Sequence, residues 1–331
     1  MSVLVSVVVP VYNEADVLPL FVARLRPVLE AIEHDEASGS ATFEVIAVDD
    51  GSRDQTPVVL QRLLRQWPAL RVVRLRANAG HQAAISAGLW MASGSWVVTL
   101  DADLQDPPET LTEMLSLARS QHLDVVYGVR TDRSSDSRFK RLSARAFYAG
   151  IRAAGATDAP AGAGDFRLMS RATVDAVNAL PETHRVLRLV VPSLGFPSGQ
   201  VGYIRAPRAA GSSKYPLTTM VRTSVDAFTG FSLAPLRLAT WFGLGGFAAS
   251  VMLLAYAVAA KIGGYTVAGW TSTVVIVAAV GALQLLCLGV LGEYVGRIYS
   301  TLQRRPAYYV AYDSAAPVPF QPGRVRGERP E

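Results

Sequence analysis

The chain has 331 residues, of which 50% are hydrophobic and only 18% are charged, and its formal net charge is +5. Soluble domains average about 25% charged residues, so this deficit indicates that part of the chain lies in lipid. The apolar content excludes intrinsic disorder, and the single cysteine, Cys287, excludes an intramolecular disulfide framework. The net charge fits an anionic partner, but the basic residues form no aromatic-lined stripe, so nucleic acid is not expected.

Short apolar runs alternate with helical patterns from residue 1 to about 215, which predicts a mostly parallel α/β sheet. The predicted strands are Val3–Val9, Phe43–Val48, Leu70–Leu75, Trp96–Leu100 and Asp124–Gly128. The predicted helices are Ala15–Glu33, Thr56–Gln66, His81–Met91 and Pro108–Ser120. Asn13, with Asp16 three residues later, is expected to cap the first helix.

Two uncharged stretches follow this region, Leu238–Ala260 and Trp270–Gly292. Each would form a helix about 34 Å long, which is enough to cross a hydrocarbon core of about 30 Å. The short connection between them predicts an antiparallel transmembrane hairpin, and the arginines outside its two ends predict that both chain termini are cytoplasmic. The N-terminus is not expected to be a signal peptide, because it lacks a basic region and a cleavage site. We therefore expect a multi-pass protein of the cell (inner) membrane.

Two further patterns predict helices that lie on the membrane surface, one beginning near Phe139 and one over Leu217–Phe231. Ordinary packing against a protein core is the alternative for both helices. Together these features divide the chain into four parts. The expected parts are 1–215, the α/β domain; 216–236, an interfacial helix and linker; 237–297, two transmembrane helices; and 298–331, a partly disordered cytoplasmic tail. The sequence leaves open whether the chain forms a homo-oligomer.

Acidic loops follow three of the predicted strands: PVYNE after the first, DDGSRD after the second and DADLQDPPE after the fourth. Ligands of open α/β sheets bind beyond the carboxyl ends of the strands. Asp101, Asp103 and Gln105 alternate along the third loop, so an extended backbone would turn their oxygens toward one Mg²⁺ or Mn²⁺ ion. A solvated acidic turn is the alternative for an isolated D-x-D, but the two neighbouring acidic loops favour the metal.

Neither a G-x-G-x-x-G after the first strand nor a G-x-x-x-x-G-K-[ST] occurs, which argues against a dinucleotide-dependent oxidoreductase. A bound diphosphate would therefore need a metal ion and basic side chains for neutralisation. The candidate basic residues are Arg130, Arg138, Arg141, Arg208 and Lys214.

Six motifs in this order resemble those of the inverting polyprenyl-phosphate glycosyltransferases. They are VVVPVYNE, VDDGSRDQT, NAGHQAAISAG, LDADLQDPPE, GAGDFRLMSR and RAAGSSKYPL, and they span residues 3 to 217. The two-span hairpin resembles the bactoprenol branch of that group. The resemblance implies a GT-A domain, a Rossmann-like nucleotide-sugar fold, with interfacial helices followed by a two-helix transmembrane hairpin.

The resemblance also implies roles for particular residues. Pro10, Tyr12, Glu14 and Asp50, with Asp101, would bind the nucleotide. Asp103, Asp165 and Arg130 would be catalytic, and the other basic candidates would contact the diphosphate or the acceptor phosphate. An acceptor phosphate is already mostly ionised at neutral pH, so Asp165 is expected to position groups rather than to act as a base. A helix N-cap is the alternative role for Asp165.

The implied reaction moves one sugar, from UDP-glucose or a related UDP-sugar, to polyprenyl (undecaprenyl) phosphate with inversion and with a divalent metal. A GDP-mannose-dependent mannosyltransferase and a non-catalytic membrane scaffold of the same fold are the alternatives, although Asp50, Asp101 and Asp103 are all present. A processive polysaccharide synthase is disfavoured, because the chain lacks a Q-x-x-R-W motif and further spans.

Overall fold

The computed structural model describes residues 3–35, 42–131, 163–181, 185–205, 234–263, 270–303 and 305–316. The chain divides into two compact units. The larger unit contains every described strand, and the smaller unit contains the two long helices that follow residue 233.

The larger unit is built on one sheet, which has eight strands among the described residues. In chain order they are β1 (Val3–Val11), β2 (Thr42–Asp49), β3 (Leu70–Leu75), β4 (Trp96–Thr99), β5 (Val125–Arg130), β6 (Ala163–Ser170), β7 (Ser198–Tyr203) and β8 (Val310–Asp313). Their order across the sheet is β7-β5-β6-β4-β1-β2-β3-β8. β6 pairs antiparallel with β4 and β5, β8 pairs antiparallel with β3, and the other pairs are parallel. The predicted α/β class is confirmed, with a mixed sheet.

Helices cover both faces of this sheet. These helices, in the larger unit, are α1 (Leu18–Asp35), α2 (Thr56–Gln66), α3 (His81–Met91), α4 (Thr110–Ser120), α5 (Arg171–Ala179) and α6 (Leu187–Ser193). The smaller unit contains α7 (Ala234–Ile262) and α8 (Trp270–Leu302). Successive side chains of a strand point to opposite faces, so Val7 and Val9 pack under α1, α2 and α4, whereas Val8 packs with α3, α5 and α6. Burial on both faces explains why β1 reads as a continuous apolar run.

All nine predicted elements of the α/β region are present, and their bounds differ from the predicted ones by no more than about three residues. The expected cap on the first helix is wrong. Asn13 has a left-handed backbone (φ +53°), and its side-chain oxygen accepts a hydrogen bond from the Arg53 amide at 2.9 Å. Asn13 therefore joins the loops that follow β1 and β2, and α1 begins later, at Leu18.

The strand β8 lies in the segment 298–331, for which the sequence predicted a cytoplasmic tail. The Asp313 carboxylate accepts two hydrogen bonds from the Arg71 guanidinium, at 2.9 Å from Nε and 2.6 Å from the terminal nitrogen. The Arg76 amide donates to the Tyr309 carbonyl at 2.8 Å, and the Ser314 amide donates to the Val72 carbonyl at 2.9 Å. Part of the segment expected to be a tail, Val310–Asp313, therefore forms an edge strand of the sheet, and its cytoplasmic location stays a prediction. Residues 317–331 lie outside the described residues.

The smaller unit contains α7 and α8, of 29 and 33 residues. Cys287 Sγ lies 3.5 Å from the Ala239 carbonyl oxygen, and a Cβ at Gly246 would lie 3.1 Å from Leu283 Cδ2, so the two helices run antiparallel. By length and composition one described stretch could cross a membrane, Ala279–Gly296 in α8, and none of it is buried within the chain. The sequence predicted two such spans, and the one over Leu238–Ala260 stays a prediction. The predicted interfacial helices lie outside the described residues.

Candidate active site

The carboxyl ends of β1, β2 and β4 meet at one edge of the sheet. Pro10 lies in β1 and pairs with Val48 of β2, and Tyr12 and Glu14 follow the end of β1. Asp50 follows β2 directly, and Asp101 lies two residues beyond β4. The parallel register of these three strands therefore places the predicted nucleotide-binding residues on neighbouring loops.

The first two of these loops are joined by hydrogen bonds from backbone to side chain. The Asn13 amide donates to the Ser52 hydroxyl at 2.9 Å, and the Glu14 amide donates to the Thr56 hydroxyl at 2.9 Å. With the bond from the Arg53 amide to Asn13, three contacts fix the PVYNE loop on the start of α2. The motif residues around Tyr12 are thus held by contacts within the chain.

Asp50 holds the turn that precedes α3. Its two carboxylate oxygens accept hydrogen bonds from the Ala79 and Gly80 amides, at 2.7 and 2.9 Å. Gly51 (φ +68°) allows the close approach of this turn, since a Cβ there would lie 2.8 Å from the Ala77 carbonyl carbon. Burial raises the pKa of Asp50, although the two backbone amides oppose the shift.

Asp165 lies in β6, so its alternative interpretation as a helix N-cap is wrong. One of its carboxylate oxygens accepts from the Arg167 guanidinium at 2.7 Å, and the other accepts from Gln82 Nε2 at 3.0 Å and lies 3.2 Å from His81 Nε2. Burial opposes ionisation, but the His81 hydrogen bond and the Arg167 charge hold the pKa of Asp165 below its usual range. Asp165 is therefore a fixed carboxylate and a weak base.

His81 also lies 3.6 Å from a carboxylate oxygen of Asp101, so it stands between Asp101 and Asp165. Burial, together with the charges of Asp165, Asp106 and Asp103, raises the pKa of Asp101 to about 6, although His81 opposes this. The pKa of His81 is raised as well, because its two carboxylate neighbours outweigh its burial. Negative charge is therefore concentrated around one imidazole at this edge of the sheet.

The loop from Asp101 to Asp106 has an unusual shape at Leu104, whose backbone is left-handed (φ +60°) and whose side chain is buried. The Gln105 amide donates to Asp103 Oδ1 at 3.1 Å, and the Gln105 side-chain oxygen accepts from Arg205. Among the residues that the structure describes, no group of three or more His, Cys, Asp or Glu side chains is arranged to hold a metal ion. A cation here would depend on Asp101 and Asp103 and on ligands from the substrate.

Arg130 ends β5 beside a buried polar pair. The Tyr203 hydroxyl donates to Asp106, and Arg130 Nε lies 3.3 Å from the same hydroxyl. A terminal nitrogen of Arg130 lies 3.9 Å from Asp106, and its side chain remains 31% exposed. Arg130 is thus a cation that is oriented by its neighbours and still accessible to an anion. The other basic candidates, Arg138, Arg141, Arg208 and Lys214, lie outside the described residues.

Sequence reasoning gave no role to His81, Gln82 and Arg167, although all three stand in the quoted motifs. His81 and Gln82 open a helix that follows β3, at the same edge of the sheet as the acidic loops. Their position in the sequence, after a predicted strand, could therefore have indicated that they belong to the site. Their contact with Asp165, more than 80 residues away along the chain, could not be read from the sequence.

Comparison with known proteins places this site in a family. Residues 6–177 match the model of glycosyl transferase family 2. The chain is 37% identical over 306 residues to the uncharacterized glycosyltransferase YkcC of Bacillus subtilis, covering 92% of both chains. It is 34% identical over 309 residues to the SfII prophage-derived bactoprenol glucosyl transferase of Shigella flexneri, covering 92% of this chain and 97% of that protein.

Among solved structures, glucosyl-3-phosphoglycerate synthase from Mycobacterium tuberculosis, in complex with Mn²⁺, UDP and phosphoglyceric acid, aligns with a TM-score of 0.49 at 20% identity. The alignment covers 68% of this chain and 76% of that one. The family match and the near full-length relatives confirm the resemblance that the motifs indicated. The chain belongs to glycosyl transferase family 2 and is a glycosyltransferase.

Proposed function

We propose that this glycosyltransferase moves one sugar from a nucleoside-diphosphate sugar to the phosphate of a membrane polyprenol, with inversion. The observation that carries the proposal is the extent of the similarity to relatives named bactoprenol glucosyl transferase, which covers 92% of this chain. The match therefore extends over the smaller unit as well as the sheet. These names favour a glucosyl group as the transferred sugar and bactoprenol as the lipid. The resemblance of the motifs adds the UDP-sugar donor and the undecaprenyl phosphate acceptor.

The chemistry of a phosphate acceptor fits the side chains of the candidate site, Asp165 and Arg130. A phosphate monoester has a second pKa near 6, so its oxygen attacks the anomeric carbon without a strong base. In one displacement, the new bond from that oxygen to the sugar forms as the bond to the diphosphate breaks, and the diphosphate leaves with the electron pair. Asp165, whose oxygens are both engaged, would position groups, and Arg130 would stabilise the departing diphosphate.

Asp101 and Asp103 suit a divalent cation, because Mg²⁺ and Mn²⁺ are commonly held by one or two carboxylates together with substrate phosphates. Burial and three other carboxylates raise the pKa of Asp101, and a bound cation would favour the charged form of this carboxylate. When bound, the cation would neutralise charge on the diphosphate. The side-chain oxygen of Gln105, the third predicted ligand, would first have to leave Arg205.

A membrane location with two crossings is supported by the connectivity of the sheet. β7 and β8 belong to the same sheet, and α7 and α8 lie between them in the chain. A segment that leaves one sheet and returns to it must cross a bilayer an even number of times. If α8 spans the membrane, a second crossing is therefore required, and α7, with Trp241 70% exposed and Phe247 68% exposed, is the described helix suited to it.

Incubating the purified full-length chain with undecaprenyl phosphate and a panel of UDP- and GDP-sugars tests the proposed reaction, with the lipid product identified by mass spectrometry. We expect one UDP-hexose to yield a glycosylated lipid phosphate. Asp103→Ala should reduce transfer by about 10³-fold and leave the thermal unfolding midpoint unchanged. A product only with GDP-mannose would replace the donor, and no lipid product with any donor would overturn the proposal.

The topology has its own test in a Cys287→Ser background. A membrane-impermeant maleimide applied to intact cells should label a Thr266→Cys variant, at a position between α7 and α8 in the sequence. It should not label a Glu33→Cys variant, in α1. Equal labelling of the two variants would contradict the two-span arrangement.

A further inference from the structure

Asp165 belongs to a closed ring of hydrogen bonds made by four residues, Asp165, Gln82, Leu187 and Arg167. Gln82 Nε2 donates to Asp165 at 3.0 Å, and the Leu187 amide donates to Gln82 Oε1 at 2.9 Å. Arg167 donates to the Leu187 carbonyl at 2.7 Å and to the other oxygen of Asp165 at 2.7 Å. The ring joins α3, β6 and the first residue of α6.

The orientation of the Gln82 side chain is fixed by its partners. The Leu187 backbone offers only an N–H at that point, so the Gln82 oxygen must face it and the amide nitrogen must face Asp165. A neutral amide accepts at one end and donates at the other, whatever the pH. A carboxylate of the same shape would satisfy Leu187 and repel Asp165.

The backbone that carries Gln82 is itself anchored. Asp50 accepts from the Ala79 and Gly80 amides, and the Gly80 carbonyl accepts from the Ala83 and Ala84 amides, each at 3.0 Å. Ala84 and Ile85 on the next turn of α3 are fully buried against the sheet. The first turn of α3 therefore cannot shift easily, and Gln82 projects from a fixed position. The same turn connects Asp50, a predicted nucleotide residue, with Asp165.

We propose that Gln82 is a positioning residue that holds the Asp165 carboxylate in place for sugar transfer. This inference rests on the proposed function, because it assigns to Asp165 a role in that reaction. Arg167 fixes one oxygen of Asp165, and Gln82 fixes the other, together with His81. A carboxylate held at both oxygens cannot rotate, so Asp165 and His81 keep one geometry beside Asp101.

Gln82→Glu is the sharpest probe, since it keeps the shape of the side chain and places a second carboxylate about 3 Å from Asp165. The charged groups that face Asp165 are His81 on α3, Arg167 on β6, Arg188 on α6 and Asp101 after β4. Two carboxylates at hydrogen-bond distance share a proton, and one of their pKa values rises strongly. Lowering the pH should therefore restore a hydrogen bond that is lost at high pH.

The first measurement is the kcat for transfer to undecaprenyl phosphate by the full-length chain in detergent. At pH 8, Gln82→Glu should lower kcat about 10- to 100-fold, with little change in the KM of the donor. The ratio of variant to wild-type kcat should rise several-fold between pH 8 and pH 6. Gln82→Leu should lower kcat with no such pH dependence, and Gln66→Glu, on an exposed position of α2, should match the wild type.

The second measurement is the thermal unfolding midpoint of the same proteins, which requires no substrate. The deficit of Gln82→Glu relative to the wild type should shrink as the pH falls from 8 to 5, and Gln66→Glu should show no such trend. A deficit independent of pH overturns the inference, whatever the reaction. So does a kcat per folded enzyme unchanged in both Gln82 variants. If the wild type transfers nothing to the lipid while the midpoint trend is present, the proposed function fails and the Gln82–Asp165 contact stands.

Discussion

The helices α3 and α8 are both rich in apolar residues, yet their surroundings differ completely. In α3, Ala84, Ile85 and Leu89 are fully buried between the sheet and the neighbouring helices. In α8, Leu285 is 71% exposed and Leu288 is 64% exposed within the chain. The two helices also differ in length, since α3 has 11 residues and α8 has 33. By length and composition, α8 contains a stretch that could cross a bilayer, whereas α3 is too short to do so.

The largest effect on the larger unit is expected for Arg167→Met. Arg167 is 1% exposed and pairs with the buried Asp165, so its removal takes away the cation at one carboxylate oxygen. We expect a loss of about 3–5 kcal/mol in the free energy of unfolding, measured with denaturant in detergent. Arg26→Met, which breaks the exposed pair with Glu30, should cost less than about 0.5 kcal/mol. Equal losses in the two variants would contradict the buried pair.

The difference in burial between α3 and α8 is tested by one leucine-to-alanine substitution in each helix. Leu89→Ala removes a fully buried side chain from α3 and should cost about 2–5 kcal/mol, because a cavity remains. Leu285→Ala removes an exposed side chain from α8 and should change the same transition of the larger unit by less than about 0.5 kcal/mol. Chemical denaturation followed by tryptophan fluorescence measures both. A loss for Leu285→Ala as large as that for Leu89→Ala would show that the α8 surface packs within the chain.

A smaller loss of stability is expected at β8, where the chain returns to the sheet. Asp313→Ala removes the two-point contact with Arg71, whose side chain is 25% exposed. We expect a loss of about 1–2 kcal/mol, the range for hydrogen bonds to charged groups that are partly buried. Hydrogen exchange at the amides of β3 and β8 should increase locally, while exchange in β1 stays slow. Unchanged exchange in β3 would contradict the pairing with β8.

The pH dependence of the metal-free protein should show a still smaller effect at Asp101. Its pKa is raised from 3.8 to about 6, so the folded state binds this proton more tightly than the unfolded state does. Stability from this group is therefore lost as the pH rises from about 4 through 6. As the pH rises over this range, the free energy of unfolding of Asp101→Asn should increase by about 1 kcal/mol relative to that of the wild type. The expected change is this small because the Asp101 side chain is 37% exposed and solvent screens its charge.

The same experiment tests the cation. Mn²⁺ should raise the unfolding midpoint of the wild type more than that of Asp101→Asn, because a ligand stabilises the state that binds it. An equal shift in both proteins would contradict the assignment of Asp101 to a metal.

The strands β1 to β5 could be predicted from the sequence because they are apolar runs separated by helices, which is a local pattern. β6 escaped prediction because Arg167 lies in its centre, and a buried arginine within a strand is understood only with its partners Asp165 and Leu187. β8 has only four residues and follows two apolar helices. Its place in the sheet depends on pairing with β3, more than 200 residues earlier.

The candidate site, like the sheet, could be predicted only in part from the sequence. Its acidic loops follow predicted strands, so their common edge could be deduced from the parallel order of the sheet. The partners of Asp165 could not be deduced, because Gln82 and Asp165 come from elements that lie far apart in the chain and pair only in the folded sheet. Local patterns therefore gave the location of the site, and tertiary contacts gave its connections.

The position of β8 sets an order of assembly. A ribosome completes α7 and α8 before it releases the residues that pair with β3, so the edge of the sheet at β3 stays uncovered throughout synthesis of the apolar helices. Only after both helices have emerged can Asp313 reach Arg71 and close that edge. The strand that completes this edge of the sheet is therefore made last, after α7 and α8.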